Sequence, residues 1–155
     1  MKPKKIITFA LLLFVAVSVV YLAANFYSSA SNREYMTPII DPNSLDVMVY
    51  YIHNNTRCIN CIRFEKYTKD VVTEIFAEQV SEGKLALKMV NYETAENSHY
   101  VDDYNLVTKA VIVAKMKNGK QSEWKNLDKI WELVNDEVAF KAYITDEVAV
   151  YLGAN

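Results

Sequence analysis

Two cysteines, Cys58 and Cys61, stand as C-x-x-C between a run that reads as a strand and a run that reads as a helix, and the chain has no others. Leu45 to Ile52 precedes them, nearly continuous in apolar character, as a strand buried on both faces should be. Phe64, Tyr67, Val71, Ile75 and Phe76 follow at three- and four-residue steps, marking one face of a helix whose pattern starts at the second cysteine. The thiols therefore fall where a strand turns into a helix. A helix N-terminus presents unpaired N–H groups and partial positive charge, which favour thiolate over thiol. Arg57 places a full positive charge beside Cys58.

Charge is uneven along the 155 residues. Lys2, Lys4 and Lys5 open the chain, no acid occurs before Glu34, and the remaining 14 basic against 19 acidic residues give the body a net charge of −5. An acidic body with no basic stripe argues against nucleic-acid binding. Behind the lysines lies an apolar run from Ile6 to Ala24, broken only by Thr8 and Ser18. At ~1.5 Å per residue this run makes about 28 Å of helix, close to the hydrocarbon thickness of a bilayer. Ser28-Ser29-Ala30 offers small residues for a cleavage site, but a cleavable signal has a shorter apolar core of ~7–15 residues. An uncleaved anchor is expected, lysines inside and body exported. The chain then divides into an anchor over residues 1–27, a spacer over 28–44 punctuated by Pro38 and Pro42, and one domain over 45–155.

Within the domain the cysteine helix is expected to run on to Ser81-Glu82, with Gly83 as its C′ residue. Leu85 to Tyr92 is a second strand, Glu96-Asn97-Ser98 opens a short helix through Tyr104, and Ala110 to Met116 is a third strand. Asn118-Gly119 predicts a tight hairpin into a fourth, antiparallel strand over Gln121 to Asn126. Leu127, Ile130, Trp131 and Val134 begin a last helix, which Phe140, Tyr143, Ile144, Val148 and Tyr151 continue or restart after Asn135-Asp136. Trp124 and Trp131 are read as core.

This order, β-α-β-α-β-β-α with C-x-x-C after the first strand, resembles the thioredoxin-like fold over Leu45 to Leu152. The fold class expected is therefore α/β, a three-layer domain behind an N-terminal transmembrane helix. Val90-Asn91-Tyr92-Glu93 looks like that family's second strand and turn, and Tyr104-Asn105-Leu106 like its Tyr-Gly-Val approach to the third strand. Tyr-Tyr-x-His before Arg-Cys-x-x-Cys, with Trp-Lys-Asn-Leu after the hairpin, is similar to small exported thioredoxin-like proteins labelled ArsF in arsenic-resistance operons. Two departures stand out. The resemblance implies a cis-proline before the third strand; counting from Tyr104 puts Ala110 there, with Lys109 beside it. A non-proline cis bond costs ~2.5–4 kcal/mol, so a trans peptide is expected. Nor does any carboxylate occupy the inner part of the first strand as the buried proton acceptor; Tyr50 and Tyr51 fill that region.

The resemblance implies thiol–disulfide exchange with protein or small-molecule thiols, Cys58 attacking and Cys61 resolving, with Arg57, Lys109 and Ala110 tuning the thiolate or lining the substrate groove. The disulfide is itself the redox group, so no cofactor is implied. Ile59-Asn60 between the cysteines does not set the direction of electron flow. An exported reductant would need an electron donor reached through the membrane. Two alternatives use the same pair. A permanent bridge would close a very short loop and stabilise little. A copper, zinc or arsenic site would take Cys58, Cys61 and His53, with His99 as a distant fourth candidate. Adjacent Asp102 and Asp103 point apart on a helix and make no catalytic dyad, and the chain has neither a Gly-rich phosphate loop nor a nucleophile elbow.

Overall fold

In the computed structural model, residues 14, 15, 17–19, 21 and 44–153 are described. The chain divides into two units, Met1–Thr37 and Pro38–Asn155. In the first, the described residues are helical, and the Ser18 hydroxyl donates to the Phe14 carbonyl (2.9 Å), so the helix itself satisfies the polar group. The expected membrane helix over Ile6 to Ala24 and the spacer over 28–44 otherwise lie outside the described residues. Among the described residues no helix is long and apolar enough to cross a membrane.

The second unit is built on four strands: β1 (Val47–His53), β2 (Leu85–Asn91), β3 (Ala110–Lys117) and β4 (Lys120–Asn126), in the order β2-β1-β3-β4. β2 runs parallel to β1, while β3 and β4 are antiparallel to their neighbours. Alternation along β1 sends Val47, Val49 and Tyr51 to one face, where they join Val111 and Val113 of β3. Helices α1 (Ile59–Asp70) and α5 (Glu137–Leu152) cover that face with Phe64, Phe140, Ile144 and Val148. Tyr50, Ile52, Ala110, Ile112 and Ala114 occupy the other face, beneath Tyr100 of α3 (His99–Asp103) and Tyr104 just beyond it. The result is the three-layer β-α-β-α-β-β-α domain.

The cysteine helix departs from the expected single rod. After α1 comes a π-type turn, Val71–Ile75, closed by the Phe76 N–H on the Val71 carbonyl (3.2 Å), and then a short α2 (Ala77–Ser81). The wider turn spends an extra residue, which rotates the apolar stripe. Val71, Val72 and Phe76 point inward, and Ile75, expected inside, faces solvent. Gly83 (φ +72°) ends α2 as expected: its N–H reaches the Val80 carbonyl and that of Lys84 the Gln79 carbonyl, a Schellman pair. Asn118 (φ +53°) and Gly119 (φ +71°) make the expected hairpin, whose fourth strand starts one residue early at Lys120. The last helical stretch is broken into α4 (Ile130–Leu133) and α5, because the Asp136 carboxylate accepts the Ala139 N–H (3.0 Å) and starts a new helix. Trp124 and Trp131 are only half core: each lays a ring edge on Tyr104 or Phe64 and leaves the rest in water.

A charge network ties α1 to α5. Lys66 and Lys141 both reach the Asp70 carboxylate (2.6 and 2.7 Å), and Lys141 also reaches Glu137 (2.6 Å). Burial pushes the Asp70 carboxyl up, but hydrogen bonds from Lys141 and Lys66 outweigh it and hold the group below its ordinary value. A lowered folded-state value means stability that is full above the unfolded carboxylate range and is lost as pH falls through the folded one. Asp70→Asn should therefore lower the unfolding free energy read from urea titration at pH 7 by about 1 kcal/mol, for a network that is partly open to water, and this cost should vanish toward pH 2. An equal cost at both pH values would mean that packing, and not charge, holds the helices.

Candidate active site

β1 ends at His53 on the edge of the sheet, and the chain crosses five residues to reach α1. Cys58 is the N-cap of that helix (φ −103°, ψ 168°), so the helix begins at Ile59, two residues before the second cysteine, where it was expected to start. Sulfur does the capping. Cys58 Sγ accepts the Cys61 N–H (3.2 Å) and Cys61 Sγ accepts the Cys58 N–H (3.0 Å), the reciprocal arrangement usually made by oxygen. The two sulfurs form a disulfide across a Cα–Cα distance of 5.0 Å. Cys61 is fully buried and Cys58 partly open, so an incoming thiolate can reach only Cys58. No acidic residue lies in the first turn of α1, and the positive end of the helix is left for the sulfur.

Parallel pairing places the end of β2 at the same edge of the sheet, and that end holds the cysteine loop. The Asn55 N–H donates to the Glu93 carboxylate (2.8 Å), the Asn91 amide donates to the Asn55 side-chain oxygen (2.8 Å), and the Tyr92 N–H donates to the His53 carbonyl (2.9 Å). Sequence reasoning missed Asn91 and Glu93 as site residues. Their signal was a polar run directly after a strand parallel to β1. Arg57 does not stand alone beside Cys58, as expected, but pairs with Glu65 two turns along α1. The carboxylate cancels part of the field that the guanidinium would place on the sulfur.

β3 enters at the same edge. Ala110 pairs with Ile52, and the bond from Lys109 is trans, as expected. Asn105 stands at φ +50°, the left-handed conformation a glycine would take there; asparagine is among the few side chains that tolerate it. Lys109 is 9% exposed and makes no ion pair among the described residues. Ile59 and Ile62, one turn apart on α1, and Val107, in the loop before β3 and 98% exposed, are apolar side chains open to solvent.

Tyr51 is one of the two tyrosines, with Tyr50, that fill the inner part of β1, where no carboxylate stands. It is fully buried, and its hydroxyl donates to the Cys61 carbonyl (2.9 Å). Burial pushes the phenol up to about 12, with Arg57 pulling it down and Glu65 pushing it up. The histidines do not join the cysteines. His53 stacks on Tyr51 (5.4 Å, 28°) with Nδ1 against the Asn54 carbonyl (2.9 Å), and His99 Nδ1 pairs with Asp103 (2.6 Å). Among the described residues no three of His, Cys, Asp or Glu come together as a metal cluster, so the Cys58, Cys61, His53 set is not assembled.

In the reduced protein, iodoacetamide should alkylate Cys58 at least tenfold faster than Cys61 at neutral pH. Glu65→Gln should speed that reaction by unpairing Arg57, and the gain should shrink with salt. Mass spectrometry of the alkylated sites checks both; faster modification of Cys61 would reverse the assigned roles.

No family model and no curated protein matches this chain. Among solved structures, thioredoxin O2 from Arabidopsis thaliana in its oxidized state is similar to it at 12% identity and a TM-score of 0.37, covering 76% of this chain and 88% of that one. The element order, the β2-β1-β3-β4 sheet with β2 parallel to β1, and a C-x-x-C disulfide capping the helix after β1 make this a thioredoxin-like fold.

Proposed function

We propose that the protein is a thiol–disulfide oxidoreductase working through Cys58 and Cys61, held at a membrane by its N-terminal apolar run with the domain on the extracytoplasmic side. The asymmetry of the pair carries this reading: one sulfur faces solvent at a helix N-cap, and its partner is buried one turn in. In the oxidised form a substrate thiolate attacks Cys58 Sγ, the Cys58–Cys61 bond breaks, and the electron pair leaves on Cys61 Sγ, which takes up a proton. A second substrate thiolate then displaces Cys58 from the mixed disulfide, giving an oxidised substrate and a reduced pair. In reverse, the Cys58 thiolate opens a substrate disulfide and Cys61 closes on Cys58, releasing the reduced substrate. No cofactor enters either direction. A bridge kept only for stability fits less well, because closing so short a loop removes little chain entropy.

The partners are protein or small-molecule thiols and disulfides. Ala110 opens β3 without a proline, Ile59, Ile62 and Val107 expose apolar side chains, and Arg57, paired with Glu65, and the buried Lys109 are the cationic residues beside these positions. We assign these residues to the groove. The location rests on Lys2, Lys4 and Lys5 ahead of a run long enough to span a bilayer. A reducing role there would draw electrons from a donor in the membrane. The ArsF-type likeness of the cysteine loop points to the same two cysteines.

Full-length protein in mild detergent, equilibrated with glutathione buffers, should show a potential within about −120 to −270 mV, and a value below about −300 mV would leave only a structural bridge. Cys61→Ser should trap a mixed disulfide on Cys58, and His53→Ala should leave that trapping intact. After carbonate washing the chain should stay with the membranes, its domain open to protease added outside; a soluble form beginning near Ser31 would defeat the anchor.

A further inference from the structure

The bond between Tyr51 and Cys61 ties α1 directly to β1, which near the site are otherwise joined by the five-residue loop 54–58. Tyr51 lies in the centre of the sheet, with Met89 of β2 and Val111 of β3 as its cross-strand neighbours. Its ring is buried on the face that α1 covers and is stacked on His53. Its hydroxyl reaches the backbone carbonyl of the buried cysteine at 2.9 Å. A helical carbonyl already serves the N–H four residues on, and the phenol takes its second lone pair. The first turn of α1 is thereby fixed to β1 at the residue that carries the resolving sulfur.

We propose that Tyr51 is the positioning residue for Cys61: it holds the buried sulfur in reach of Cys58 after the disulfide has opened. The inference rests on the oxidoreductase reading and names what makes its second step fast. Once a mixed disulfide has formed, Cys61 must meet Cys58 Sγ before a second external thiol does. Its sulfur attacks, the bond from Cys58 to the substrate sulfur breaks, and the departing thiolate takes up the proton that Cys61 gave. That step is balanced without a buried base. Tyr51 is poorly suited to be one, since its hydroxyl is a donor committed to a carbonyl, and burial disfavours its anion. With no carboxylate on the inner part of β1, the Tyr51 hydroxyl there supplies geometry. Preorganisation of this kind acts through effective concentration.

Tyr51→Phe tests this, because it keeps the ring and removes only the hydroxyl. In the full-length protein equilibrated with glutathione, the variant should form its disulfide three- to tenfold less favourably. That corresponds to a potential raised by about 14–30 mV for a two-electron couple. The mixed disulfide between glutathione and Cys58 should persist three- to tenfold longer, while alkylation of Cys58 stays within twofold of the parent. A residue that only props up the fold would destabilise oxidised and reduced forms alike and leave the equilibrium where it was. An unchanged equilibrium and mixed-disulfide lifetime would overturn the proposal. Should the variant fail to fold, 3-fluorotyrosine at position 51 retains the donor and strengthens it, and the equilibrium should then shift toward the disulfide; no shift would overturn the proposal. If the Tyr51→Phe shift appears but Cys61→Ser traps no substrate, positioning stands and the oxidoreductase reading falls. If trapping proceeds and the shift is absent, positioning alone falls.

Discussion

β1 is covered on both faces, and the domain is the set of answers to that demand. Every side chain from Val49 to Ile52 is buried, and alternation divides them between two layers that must come from elsewhere in the chain. One layer is aliphatic and phenylalanine-rich, supplied by α1 and α5. The other is a tilted cluster of Tyr50, Tyr100 and Tyr104, with ring centroids 5.7 to 5.9 Å apart. Apolar burial at roughly 25 cal/mol per Å² favours both layers. The tyrosine side gives its hydroxyls partners: the Lys88 ammonium donates to Tyr100 (2.9 Å), and Tyr104 donates to the Gln121 side-chain oxygen (2.5 Å). Where β1 runs out of cover, at His53, the chemistry begins.

At that edge three things meet because of strand direction alone. β1 ends there and delivers the cysteines, parallel β2 ends there and clamps their loop, and antiparallel β3 begins there with Ala110. The loops at the site are open to solvent on a scaffold that is buried, as expected when reactive groups sit beside loops held by rigid elements. The capping sulfurs belong to both parts. They satisfy helix N–H groups that would otherwise be orphaned, and one of them, on Cys58, is the sulfur left open to solvent.

Periodicity made the order of elements legible. Runs of near-continuous apolar character at β1 and β3, the Asn118-Gly119 turn before β4 and a three-to-four spacing after the cysteines leave little room for another reading. The bend at Val71–Ile75 was not legible, since Val71, Val72, Ile75 and Phe76 form an acceptable stripe for an α-turn or for a π-turn, and only packing decides. Glu65 escaped notice as the partner of Arg57 because one lies on the loop and the other two turns along the helix, outside the i,i+4 rule. Tyr51 was visible as a buried residue and as the occupant of a missing carboxylate's place. What its hydroxyl would meet depended on how α1 crosses the sheet. The histidine nearest the cysteines was visible as a metal candidate, and its stacking on Tyr51 was not.

The disulfide closes a gap of three residues, whereas the strand before it pairs only with distant chain: Val47 meets Leu85 on one side and Lys115 on the other. The long loops that cost entropy to close belong to the sheet, and the sulfur bridge takes no part in closing them. The order in which this topology assembles is set by bringing β2 and β3 to β1, with the β3–β4 hairpin as its one local strand pairing. Opening the bridge lets almost no chain go. Breaking or remaking the bridge leaves the strand pairings that close the long loops in place.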